Sequence, residues 1–204
     1  MQKMTADLFF IYDTHCPWSY ATTSLVDEIA QHLPDINIHF WHSAFFDGDN
    51  KVSKTQIDNV QSLSPITFSD AYLAQLSEAK DSTLTANILA WTSHKAPEKT
   101  LSLLKAIQQA HFQQGLPLTH ADEIKPLLEK LKLSPPVKSL TIEKLTKDAE
   151  FDVHEVFEMQ EIINTKAIPA LLLANNENLI LLNHNLYLDK PKAIIEAIKL
   201  ELAK

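Results

Sequence analysis

Leu8-Phe9-Phe10-Ile11-Tyr12 is an unbroken aromatic and branched run, the pattern of a strand buried on both faces. Asp13-Thr14-His15 interrupts it. Pro17 then stands where a helix can begin, because the first helical N–H has no partner to lose. From Trp18 to Leu33 apolar residues recur at helical spacing through Ala21, Leu25, Ile29 and Leu33, and Pro34 ends the run. Ile36 to Trp41 alternates with period two and predicts a second strand. The opening is therefore β-α-β, which predicts a parallel pair joined by a right-handed crossover.

After Trp41 the pattern changes. Phe46 to Ser64 is polar and turn-rich, with Gly48 inside it and Pro65 behind it. Helical spacing then predicts helices over residues 67–80, 81–95, 98–113 and 120–132. Leu101, Leu104, Ile107 and Ala110 share one face of the third. Gly115 and Pro117 separate the third from the fourth, and Ser134-Pro135-Pro136 closes the block. Two more helices are predicted at 139–150 and at Val153–Thr165. Ala170–Leu173 and Leu179–Leu182 read as a hairpin around the turn Asn175-Asn176-Glu177. Pro191 opens a last amphipathic helix with Ile194, Ile195, Ile198 and Leu202. The plan is α/β: one domain over residues 1–204, with a helical insertion at 45–140 splitting the sheet.

Composition narrows the function. Among 204 residues the net charge is −8, and all 18 basic side chains are lysine. A chain without arginine and with an acidic balance argues against nucleic acid as a partner. Two glycines, Gly48 and Gly115, cannot build a phosphate loop or a dinucleotide fingerprint, and no G-x-S-x-G elbow occurs. Nine histidines are present, but no metal-ligand spacing is; His39 and His42, three apart in a strand, point to opposite faces. No metal is expected. No run reaches the roughly 18 apolar residues of a membrane span, and the start of the chain lacks a signal-like run. One cysteine needs no oxidising compartment, so the expected location is the cytoplasm, as monomer or homodimer.

That cysteine, Cys16, stands between the first strand and the first helix. Unpaired N–H groups and the partial positive charge of a helix start stabilise a thiolate, which predicts a pKa below that of a free thiol. The plainer reading is a small buried hydrophobe. Cys16-Pro17-Trp18-Ser19 is a C-x-x-C redox motif with serine in the second cysteine position.

With the lead-in Phe9-Phe10-Ile11-Tyr12-Asp13 and the downstream Ala167-Ile168-Pro169-Ala170-Leu171, this motif resembles the DsbA-like branch of the thioredoxin superfamily. The likeness is greatest to the cytosolic proteins described as predicted protein-disulfide isomerases. The resemblance implies a thioredoxin-like fold with a helical insertion, and a cis-proline, matched by Pro169, facing the active-site cysteine. It also implies that Ile168 offers backbone groups to an extended substrate.

A dithiol oxidoreductase needs a second cysteine to resolve its mixed disulfide, and Ser19 cannot do so. Three chemistries remain. The first is thiol-disulfide oxidoreductase or isomerase activity by Cys16 alone, with protein thiols and disulfides as partners. Here Ser19 donates to the thiolate, and glutathione serves as co-substrate rather than a bound cofactor. The second is a glutathione-dependent transferase or isomerase of the kappa or hydroxychromene carboxylate isomerase type. The third is a catalytically degenerate binding module.

Around the cysteine, a protonated His15 lowers the thiol pKa further, unless it is an exposed loop residue. Trp18 and Pro17 are candidate substrate contacts beside Cys16. Asp13 reads as a turn residue that bonds nearby backbone. Trp91, His94 and Lys95 end a helix of the insertion and are candidates to line a cleft.

Overall fold

The structure, a computed structural model, describes residues 6–175 and 178–203. Four strands form one sheet in the order β2-β1-β3-β4: β1 Ala6–Tyr12, β2 Ile36–His42, β3 Ala170–Asn175 and β4 Asn178–Leu182. β1 runs parallel to β2 and antiparallel to β3, and β3 pairs antiparallel with β4. The predicted turn includes Asn176 and Glu177, which lie outside the described residues.

Side chains alternate across β1. Leu8, Phe10 and Tyr12 enter the main core, with Ala21, Leu25 and Ile29 of α1 (Pro17–His32) and Ile194 and Ile198 of α8 (Ala193–Leu202). Ile11 faces the other way and joins Ala170, Leu172 and Val156 of α7 (Lys147–Ile162). Helices therefore cover both faces, which is why β1 reads as continuously apolar.

Between β2 and α7 come α2 (Lys54–Leu63), α3 (Asp70–Leu73), α4 (Thr83–Lys95), α5 (Thr100–Gln114) and α6 (Ala121–Lys130). Three expectations are corrected here. The stretch taken as turn-rich contains α2, started by a capping box between Ser53 and Gln56 and anchored by the buried Ile57 and Val60. The helix expected over 67–80 shrinks to the four residues of α3. The helices expected at 139–150 and Val153–Thr165 are one, α7, capped by the Thr146 hydroxyl on the Ala149 N–H.

Gly115 ends α5 in the left-handed region at φ 70, and a Cβ there would stand 2.9 Å from Ala71 backbone. That close approach seats α3, and with it Tyr72, on the end of α5.

Candidate thiol site

β1 ends at Tyr12, and the turn Asp13-Thr14-His15 delivers Cys16 as the N-cap of α1 with Pro17 in its first turn. The Cys16 N–H closes the turn on the Asp13 carbonyl at 3.1 Å, and the Cys16 carbonyl accepts from Tyr20 at 3.0 Å. Carrying the β1–β3 register one step beyond Ile11↔Ala170 sets Pro169 beside Tyr12, so the thiol turn and Pro169 share one end of the sheet. The Ile168–Pro169 peptide is cis. Pro169 is buried, Ile168 is half-buried, and a pocket of about 340 Å³ opens between Pro169 and Leu181.

The turn is held by buried polar groups. Asp13 Oδ1 accepts the His15 N–H at 2.9 Å, and Oδ2 accepts the Phe46 N–H at 3.2 Å and the Ser82 hydroxyl at 2.9 Å. Burial raises the Asp13 pKa against the lowering pull of His15 and of these donors.

His15 Nε2 lies 2.9 Å from the Pro117 carbonyl, which only accepts, so the proton sits on Nε2 and Nδ1 receives the Thr14 hydroxyl at 3.0 Å. Thr14 in turn lies 3.1 Å from His42 Nε2 and 2.7 Å from the Thr85 hydroxyl. His111 Nδ1 meets the Leu116 carbonyl at 2.8 Å, and its ring packs 4.0 Å from that of His15. Burial lowers the pKa of all three histidines, that of His42 to about 3. The two readings of His15 are both corrected. It is neither exposed nor a cation beside the thiol, because it is enclosed and its ring nitrogens are satisfied in the neutral form.

Cys16 is 5% exposed. Burial pushes its pKa up to about 11, against the lowering pull of the Ser19 amide and hydroxyl and of the Trp18 amide; the Asp13 charge adds a further push upward. The expected lowering by the helix start is therefore corrected. The polar groups act in the expected direction, but the sulfur closes no cap hydrogen bond and desolvation outweighs them.

Ser19 is buried, and its oxygen accepts from the Asp13 N–H at 3.2 Å. Pro17 is buried, and Trp18 is half-buried with its ring packed on the main core. Tyr72, buried and with no hydrogen-bond partner for its hydroxyl, feels the Cys16 charge; the sequence reading missed it because α3 is 56 residues further along the chain.

A family model described as the DSBA-like thioredoxin domain matches residues 7–161. The chain belongs to this family. Among curated proteins none matches it. Solved structures agree on the fold. The cytosolic disulfide reductase DsbM from Pseudomonas aeruginosa with GSH superposes with a TM-score of 0.79 at 17% identity, covering 97% of this chain and 100% of that one. A 2-hydroxychromene-2-carboxylate isomerase gives 0.61 at 14% identity over 97% and 96%. A periplasmic thioredoxin-like protein from Salmonella enterica serovar Typhimurium gives 0.56 at 16% over 100% and 87%. The DSBA-like family is one of thiol-disulfide oxidoreductases, with a thioredoxin-like α/β fold and a helical insertion. No described helix is long and apolar enough to cross a membrane.

Proposed function

We propose that this protein carries out thiol-disulfide exchange through Cys16 alone, with an external thiol, glutathione, as resolver. The observation that carries this is the position of Cys16 as the N-cap of α1, at the same end of the sheet as the cis Ile168–Pro169 peptide; the Ser19 and Trp18 groups at that helix start pull the thiol pKa downward. The largest opposing cause is burial, and substrate binding that opens the site removes it. The thiol is then protonated and enclosed at rest and ionises when engaged.

The cycle balances in two exchanges. The Cys16 thiolate attacks a protein–glutathione mixed disulfide, the S–S bond breaks, and the protein thiolate leaves with its electron pair. A second glutathione thiolate attacks the glutathione sulfur now bonded to Cys16, which releases the Cys16 thiolate and oxidised glutathione. Ile168 offers backbone groups to the substrate chain, Pro169 and Trp18 flank it, and Pro17 fixes the start of α1. His15 serves by holding the turn rather than by its charge. The domain works as one unit over residues 1–204, with residues 45–140 as its insertion. The likeness to a structure solved with GSH supports glutathione as co-substrate.

The test is glutathione-dependent reduction of a glutathionylated protein by wild type and by Cys16→Ser. Turnover in the wild type and none in the variant is the expected result. Equal rates would end the proposal. A second reading, a binding module with a retired thiol, is favoured by the enclosure of Cys16; it expects no turnover by either protein and unchanged partner binding by Cys16→Ser.

A further inference from the structure

The sheet ends in β2 on one side and in β4 on the other. α4 and α7 pack against β2. β4 is hydrogen-bonded to β3 alone. Among the described residues no second strand, and no backbone bond from a turn or loop, meets its outer edge from Asn178 to Leu181. Alternate N–H and C=O groups of such a strand point away from the sheet and are left to water or to another chain.

Folded proteins ordinarily blunt an open edge with lysine, proline, a bulge or an inward-facing charge. β4 has none of these. It reads Asn-Leu-Ile-Leu-Leu, and its register on β3 runs from Asn175↔Asn178 to Leu171↔Leu182 without a bulge. Its 5 residues are an ordinary strand length, so shortness does not protect it either.

Two features point to a second copy of this chain as the occupant. The first is charge. The net charge of −8 makes two copies repel, yet from Asn178 to Leu188 the sequence has no aspartate, glutamate or lysine. His184, the one basic group in that stretch, is kept neutral at pH 7 by burial, which lowers its pKa to about 4. Two copies can meet here without opposing like charges. The second is self-complementarity. Leu179 and Leu181 alternate onto one face, which Leu172 shares through its pairing with Leu181, and they are 38% and 49% exposed. Two antiparallel β4 strands related by a two-fold axis through Ile180 set Leu179 of each copy opposite Leu181 of the other. Each exposed leucine is then covered by one from the other copy.

We propose that this protein self-associates through β4, joining two four-stranded sheets into one continuous sheet. The contact is small. The 5 strand residues a side lie well below the roughly 20 a side of a tight interface, so the dimer is weak, with a Kd on the order of 10 μM. Added salt strengthens it by screening the like net charges, the opposite of an interface held by ion pairs. Leu181 also lines the pocket beside Pro169, so Leu179 of the second copy becomes part of that pocket's wall.

The experiment is sedimentation velocity of the whole protein from about 1 to about 200 μM. The expected result is a concentration-dependent shift from monomer to dimer. Cys16→Ala shifts as wild type does, so a failure of the thiol reading leaves this one standing. Leu179→Lys and Leu181→Glu, each checked for fold by circular dichroism, weaken association about tenfold or more, because the two-fold axis places every substitution in the interface twice. Mixed one to one, the two variants associate again, since their opposite charges then face each other across the axis. Val137→Lys, at an exposed apolar position in the insertion, leaves association unchanged. A wild-type chain that stays monomeric throughout, including one that takes up an extended peptide along β4 instead, would overturn the proposal. So would a dimer that survives both variants undiminished, or a mixture that fails to associate.

Discussion

Alkylation of Cys16 by iodoacetamide across a pH series measures the balance between burial and helix start directly. With its pKa pushed from 9.0 to about 11, the thiol is ionised in about one molecule in ten thousand at pH 7, against about one in a hundred at the ordinary value. Only the thiolate attacks, so ionisation alone slows the folded protein about a hundredfold relative to the urea-unfolded chain, and enclosure slows it further. The folded rate climbs about tenfold per pH unit until it levels near pH 11. Intact-mass spectrometry of quenched aliquots gives both rates. Two variants move the midpoint in opposite directions. Ser19→Ala removes a hydroxyl that lowers the thiol pKa, so its midpoint rises. Asp13→Asn removes a charge that raises it, so its midpoint falls. A folded midpoint at or below that of the unfolded chain would refute the reasoning, because the helix start would then outweigh desolvation.

Three further outcomes are expected. Asp13→Ala strands the buried His15 and Phe46 N–H groups and costs about 3 kcal/mol in urea unfolding; a cost below about 1 kcal/mol counts against the role given to that carboxylate. Gly115→Ala brings a Cβ to 2.9 Å from Ala71 backbone at a positive φ and costs about 2 kcal/mol, read as a drop in Tm. Asp152 carries a raised pKa, so its charge is absent below the unfolded value of 3.8, destabilises increasingly up to about 7, and keeps that full penalty above. Asp152→Asn is therefore more stable than wild type at pH 8, by at most about 4 kcal/mol, and the difference closes toward pH 4; a gain that persists unchanged in acid would contradict the cause assigned.

The β-α-β opening was legible because each of its elements carries a run of apolar residues long enough to set its period. α2 was not, since only Ile57 and Val60 turn inward and the capping box of Ser53 and Gln56 was the sole local signal. The reading of 67–80 failed in the opposite way: its scattered apolar residues fill gaps against α5 and Gly115 instead of forming one helical stripe. In the thiol turn, the placement of Cys16, Pro17 and Ser19 followed from the motif, but the sign of the thiol pKa did not. Cys16 is buried in a cluster that includes residues distant in sequence, Tyr72 on α3 among them, and its sulfur closes no cap bond to offset that burial. His15 misled for the same reason, since its partner Pro117 is 102 positions away.

Ser19 also sets the kinetic order of the proposed exchange. In a dithiol enzyme the resolving sulfur is tethered one helical turn away, and its high effective concentration makes release of the substrate unimolecular and fast. Here the tether holds a hydroxyl, so each covalent adduct on Cys16 persists until a thiol arrives from solution. Its lifetime then varies inversely with the free thiol around it, and the fraction of protein carrying an adduct becomes a direct reading of the reducing capacity of its surroundings.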